Sequence, residues 1–299
     1  MIGIHTLTYY LAEHPTIVNF RWSHSQSYGS TWSFLFTSIS LYLLLSLSLH
    51  LLLLLLPNKT TKPNPIPLGP IPAVHSLLMS LLSALIFAGT LLSAAAEIRD
   101  TRWLFTRRGT KTTPFQWLLC FPIGTRPSGR VFFWSYAFYL SRFLHTFRTY
   151  FTILSRRHKS LSFFRLFNQS ILILMSFLWL EFSQSFQVLA ILLATSVYAV
   201  VYGYRFWTAV GLPGACFPFV FSCQILLLCC NVMCHVGVLL MHLMKGGCNG
   251  IGAWGLNSVL NAAILFLSLN FYVKMHLRKR EKFGAIQKAE MNVVRDKES

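Results

Sequence analysis

The chain has 299 residues, of which 54% are hydrophobic and only 11% charged. A soluble domain carries about 25% charged residues, and several apolar runs here exceed the roughly 18 residues that span a bilayer. The composition therefore excludes a soluble globular class and implies a polytopic, all-α integral membrane protein. The formal net charge of +18 comes from 26 Lys and Arg against 8 Asp and Glu. These cations sit in short clusters beside apolar runs, which is the pattern of membrane topology rather than of nucleic-acid binding.

Residues 1–32 mix His, Ser and Tyr with Glu13 and lack a short apolar core, so they do not read as a cleavable signal. The first long apolar run acts instead as an uncleaved signal-anchor. Seven spans are expected at about 33–56, 74–96, 131–153, 161–180, 186–208, 216–244 and 253–276. The first is a Leu/Ser run of little individuality, a generic anchor or a peripheral helix. Prolines 57, 63, 65, 67, 70 and 72 make the following connector extended. Spans three and four form a hairpin around Arg156-Arg157-His158-Lys159. A membrane domain over 33–276 and a basic tail over 277–299 complete the organisation, with no separate soluble domain.

Arg156, Arg157 and Lys159 mark one side of the membrane, and Arg278, Lys279, Arg280 and Lys282 fall on the same side by parity. Short basic loops are cytosolic, which puts residues 1–32 in the lumen. The basic loop 97–130 disagrees with that count, either because a half-membrane segment such as 115–123 lies within it or because a longer loop escapes the rule. Cys120 and Cys248 both fall in loops that parity makes lumenal, where an oxidising compartment allows a disulfide. Cys216, Cys223, Cys229, Cys230 and Cys234 lie on or near span six and read as polarizable packing residues. His235 and His242 share a face there but lack a third ligand, so no metal site is expected. Lys245-Gly246-Gly247-Cys248-Asn249-Gly250 reads as a tight turn.

The polar residues inside the spans carry more information. A charge near the bilayer centre costs about 3 kcal/mol or more unless paired or solvated. Arg142, His145 and Arg148 recur every three residues, so on a helix they share one face. That face must look into protein or a polar cavity. Few carboxylates lie near the spans, so the guanidiniums of Arg142 and Arg148 are candidate contacts for anionic ligand groups, such as phosphates. Arg165 and Arg205 read as snorkelling to the interface. His145 is either a polar packing residue or, as a neutral imidazole beside two cations, a base or nucleophile.

The stretch 131–280 resembles the ELO family of membrane fatty-acid elongases, specifically its plant branch. Arg142-Phe-Leu-His145-Thr-Phe-Arg148-Thr149 stands where the family has Lys-x-x-Glu-x-x-Asp-Thr, and Leu154-Ser-Arg-Arg157 resembles its Leu-Arg-Lys-Lys. Tyr198-Ala-Val-Val-Tyr202-Gly-Tyr204 stands where it has His-x-x-Met-Tyr-x-Tyr, and Phe221-Ser-Cys-Gln224 aligns with Thr-x-x-Gln. The resemblance implies a bundle of six helices enclosing a tunnel, with the first helix outside, in the endoplasmic-reticulum membrane. It also implies condensation of a long acyl-CoA with malonyl-CoA, releasing CO2 and CoA, with membrane lipids and other elongation-cycle enzymes as neighbours and no cofactor.

The family's His-x-x-His-His box reads Arg165-Leu-Phe-Asn168-Gln169 here, and the histidine of the later box is Tyr198. Amides do not titrate and are poor nucleophiles, so Asn168 and Gln169 can hydrogen-bond a carbonyl but cannot accept an acyl group. By position, the resemblance makes His145, Asn168, Gln169 and Tyr198 the catalytic candidates. Arg142, Arg148, Tyr202, Tyr204 and Gln224 become the substrate-binding candidates. Three functions remain open: a condensing enzyme with an altered site, a regulatory or scaffold member supporting lipid or sphingolipid synthesis, and an anion transporter. The transporter lacks the internal repeat that such folds carry.

Overall fold

The computed structural model describes residues 6–55, 68–107, 114–155, 163–212, 217–245, 247–267 and 270. Two compact units divide the chain, Met1–Gly255 and Leu256–Ser299. The described residues of the second unit continue one helix to Leu267. All that follows concerns the first.

The architecture is all-helical among the described residues. The long helices are α1 (Trp32–Leu55), α2 (Ile71–Arg107), α4 (Arg130–Ser155), α5 (Phe163–Glu181), α6 (Gln187–Ala209) and α7 (Phe217–Lys245), with the short α3 (Pro114–Leu119) between α2 and α4. A further apolar helix, α8, spans Ile251–Leu267. Three segments, Trp32–Leu55, Ile71–Asp100 and Gln187–Ala209, are long and apolar enough to cross a bilayer, and shorter apolar helices cover Leu166–Glu181 and Cys229–Met244. This is a membrane protein with several apolar helices.

α2 runs along much of α6 and also packs on α4; α4 pairs with α5, and α6 with α7. α1 leans on α4 and α5 and leaves leucines such as Leu44 and Leu52 exposed. Close approach is possible where side chains are small. Gly89 on α2 lies against the indole of Trp134, where a Cβ would collide with the ring. Ser80 Oγ on α2 donates to the Ala199 carbonyl at 2.8 Å, and Tyr42 and Thr149 hydroxyls join α1 to α4 at 3.0 Å. Hydroxyls within α4 satisfy themselves locally: Ser135, Ser141 and Thr152 donate to carbonyls one turn back, as such residues do in apolar helices.

One end of this bundle is stitched closed. Trp22 enters the core among Leu35, Phe121, Tyr139 and Phe177, and its indole N–H donates to Glu181 at 2.9 Å. The Trp22 amide donates to the Pro127 carbonyl and the Gly129 amide to Phe20, both at the start of α4. Tyr139 donates to the Gly29 carbonyl and Trp134 to the Leu11 carbonyl, each at 2.8 Å. Cys120 and Cys248 are joined by a disulfide at this same end. Beside it, Asn249 Nδ2 donates to the Phe182 and Ser183 carbonyls, and Ser185 Oγ accepts from the Phe121 amide while donating to the Asn249 carbonyl. Phe186, buried at φ +77°, opens α6 from within this knot.

The expected basic loop at 97–130 is corrected by the structure: α2 continues as helix to Arg107, so Arg99, Arg102 and Arg107 belong to it. Its charged continuation is held by ion pairs, Arg130 with Asp100 at 3.0 Å and with Glu97 at 3.6 Å, and Arg99 with Glu13 at 3.1 Å. Only a short helix, Pro114–Leu119, occupies the suspected half-membrane segment. The proline connector 57–67, the hinge 156–160 and the tail beyond residue 270 lie outside the described residues.

Candidate functional site

α4 supplies the polar face, and its neighbours enclose that face unequally. Arg142 is 1% exposed and His145 5%, whereas Arg148 is half-buried. Arg142 is twelve residues from Arg130 at one end of α4 and thirteen from Ser155 at the other. At 1.5 Å per residue it lies about 18 Å from the start of the helix, near the helix's own middle.

The guanidinium of Arg142 sits between two aromatic faces, Phe138 at 4.1 Å on its own helix and Tyr198 at 4.6 Å on α6. Its Nη2 donates to His145 Nε2 at 3.0 Å and approaches Ser141 Oγ at 3.4 Å. From α5, Gln169 Nε2 donates to the Arg142 backbone carbonyl at 2.8 Å. Arg142 Nε is buried and has no hydrogen-bond partner among the described residues.

The donor chemistry fixes the state of His145. A guanidinium has no acceptor, so Nε2 must accept from Arg142 and therefore carries no proton. The imidazole is neutral, with its hydrogen on Nδ1, and Nδ1 donates to Tyr202 Oη at 2.6 Å. The two rings of Tyr198 and Tyr202 lie 5.0 and 5.1 Å from the imidazole. Both ring nitrogens are thus engaged, and the lone pair that a base or nucleophile needs is spent on Arg142. Tyr202 accepts and keeps its own hydroxyl hydrogen available.

Tyr202 is also the meeting point of the neighbouring cations. The guanidiniums of Arg148 and Arg205 each lie 5.9 Å from its ring centre. His75 on α2 lies 6.3 Å away by ring centroids, and its Nε2–H donates to the Leu144 carbonyl at 3.1 Å. Arg205, expected to snorkel to the interface, lies beside this cluster. His75 was not singled out by the sequence, although its position on the second apolar run, facing the polar stripe, was the available signal. Tyr204 is half-buried on α6, and Asn168 is half-buried on α5 beside Gln169. The side chains of Arg165 and Gln224 lie outside the described residues.

The charge balance of the cluster is one-sided. The described carboxylates, Glu13, Glu97, Asp100 and Glu181, all lie toward the disulfide end and are engaged there by Arg99, Arg130, Trp22 and His24. None of these ion pairs includes Arg142 or Arg148. Burying an ion costs several kcal/mol even after relaxation. Each desolvated cation–π contact returns about 2 kcal/mol, and a hydrogen bond from a charged group about 1.5–3 kcal/mol. The two rings and His145 make Arg142 tolerable, but they leave a full positive charge uncompensated.

A family model described as ELO: GNS1/SUR4 family matches residues 27–283. A protein of Arabidopsis thaliana named "Fatty acid elongase 3-like" is 67% identical over 274 residues, covering 91% of this chain and 93% of that protein. No solved structure matches. The matched region takes in every helix described above, the Arg142 cluster and both disulfide cysteines, and the chain belongs to the ELO (GNS1/SUR4) family.

Proposed function

We propose that this chain is an elongase-like 3-oxoacyl-CoA synthase of very-long-chain acyl groups, working in the endoplasmic-reticulum membrane in lipid and sphingolipid synthesis. Family membership supports the reaction class. The observation that carries the reading is the buried, uncompensated guanidinium of Arg142, held in place by His145, Tyr198 and Gln169. In the condensation, malonyl-CoA loses CO2, and the resulting carbon nucleophile attacks the acyl thioester carbonyl. CoA leaves as its thiolate, and negative charge passes through the carbonyl oxygens. A fixed cation in an apolar site stabilises such charge without reorganising. His145 then serves as the prop that orients Arg142, while Tyr202 is a hydroxyl donor. Arg148 and Arg205 contact phosphates of the CoA portion, and Tyr204 and Gln224 complete the substrate contacts. The ligand passage is a tunnel enclosed by six helices of a seven-span domain, with α1 outside.

A second reading is a regulatory or scaffold subunit of the elongation machinery. Asn168 and Gln169 favour it, since Gln169 spends its amide on an interhelical hydrogen bond to Arg142. The two readings separate in elongase-deficient microsomes supplied with labelled malonyl-CoA and acyl-CoA of several lengths. Product from the wild type that falls at least tenfold in His145→Ala supports the enzyme with an Arg142–His145 centre. A folded wild type giving no product at any acyl length removes the enzyme reading and leaves the scaffold.

A further inference from the structure

We propose that His75 on α2 is the proton donor of this site, delivering through Nδ1 the proton that the departing CoA thiolate takes up. The proposal rests on the condensation read above and adds to it a residue outside the sequence boxes that carry the resemblance. The condensation consumes one proton. Malonyl-CoA loses its carboxylate as CO2, and the new carbon–carbon bond forms as the acyl carbon–sulfur bond breaks. The electron pair left on sulfur is then protonated to give CoA, and solvent returns a proton to the donor.

The hydrogen bonds separate the two imidazoles of the cluster. A carbonyl only accepts, so His75 Nε2 donates to Leu144 at 3.1 Å whether the ring is neutral or charged. The position that exchanges a proton is therefore Nδ1, which has no partner among the described residues and belongs to a half-buried side chain. His145 is 5% exposed, its Nε2 accepts from Arg142 and its Nδ1 donates to Tyr202, so it has no free position.

His75 stands edge-on to Phe147 and Phe151 of α4, at 6.4 and 5.3 Å, and to Tyr202 of α6 at 6.3 Å. The Tyr202 ring also faces the guanidiniums of Arg148 and Arg205, and its hydroxyl holds His145. These are the titratable and charged groups that α4 and α6 bring around His75. The guanidiniums do not release their protons. A phenol is a weaker acid than a thiol, whereas an imidazolium is a stronger one. Proton transfer to a thiolate thus runs downhill from His75 and uphill from Tyr202.

His75→Gln separates the two ring nitrogens, because its amide still donates to Leu144 but cannot exchange a proton. The full chain in elongase-deficient microsomes is supplied with labelled malonyl-CoA and acyl-CoA across a pH series. His75→Gln should lower turnover about a hundredfold, the usual scale of acid–base catalysis, with KM for both thioesters nearly unchanged. Wild-type turnover should fall as pH rises through the imidazole range, and His75→Gln should lose that dependence. Added imidazole should restore part of the activity of His75→Ala. Diethyl pyrocarbonate, which places an ethoxycarbonyl group on a bare imidazole nitrogen, should label His75 and spare His145 in the folded wild type. Formation of the Cys120–Cys248 disulfide shows that each variant has folded. Folded His75→Gln with wild-type turnover or the wild-type pH profile, or labelling of His145 in place of His75, would overturn the proposal while the condensation stands. A wild type without product at any acyl length removes the condensation and the proposal with it.

Discussion

Tyr202 is the residue on which the polar cluster closes. It accepts the only hydrogen of a neutral His145, and its ring faces Arg148 and Arg205. Removing its hydroxyl leaves a buried Nδ1–H without an acceptor, a loss of about 1–3 kcal/mol. Tyr202→Phe should therefore lower the thermal midpoint in detergent measurably, while the disulfide still forms; an unchanged midpoint would mean that the ring finds another acceptor. The spacing of Arg142, His145 and Arg148 made their common face legible in the sequence. Which of the three is sealed from solvent was not legible, because tyrosines of α6 decide it, more than fifty residues along the chain. Nor could spacing reveal that the imidazole lone pair belongs to Arg142. Residue type gives a histidine its possible chemistry, and only the hydrogen-bond partners show what remains available.

Among the elements, α2 shows how a membrane helix can outrun its apolar segment. Its expected end near residue 96 was read from the onset of charge, a sound guide to where lipid contact stops. The helix goes on to Arg107, and on its charged continuation Glu97 and Asp100 pair with Arg130 at the start of α4. Composition records the membrane boundary, whereas the helix boundary depends on a partner from another element. α2 also depends on a missing side chain. A Cβ at Gly89 would strike the Trp134 indole, and forced overpacking of this kind costs about 1–3 kcal/mol. Gly89→Ala should thus reduce stability and shift the Trp134 emission as α2 moves away from α4; a variant as stable as the wild type would show that the indole simply turns aside. The glycine-rich turn after α7 was readable as a turn, yet the sequence did not show that Asn249 ties it to the loop between α5 and α6.

For the molecule as a whole, one end of the Met1–Gly255 unit and its middle differ in character. The end carries the described carboxylates, the entry of Trp22 and the disulfide; the middle of α4 carries a cation without a carboxylate. Cross-linking residues 128 apart restricts the unfolded chain, and disulfides of native proteins contribute about 2–4 kcal/mol. Cys120→Ser should lower the thermal midpoint and abolish the change in gel mobility on reduction. A mobility change that persists in Cys120→Ser would assign it to another pair of cysteines. All-helical membrane architecture was evident from composition alone, since long apolar runs leave few other solutions in a bilayer. The linkage across the bundle was harder to read, because it depends on which loops share a side of the membrane.

The disulfide also orders events in time. Cys120 leaves the ribosome as a thiol and has no partner until the turn that carries Cys248 has been synthesised, 128 residues later. Throughout that interval it is open to exchange with other thiols. The native bond is therefore a record that synthesis has passed Cys248, and a chain interrupted within α7 would lack the native partner of Cys120.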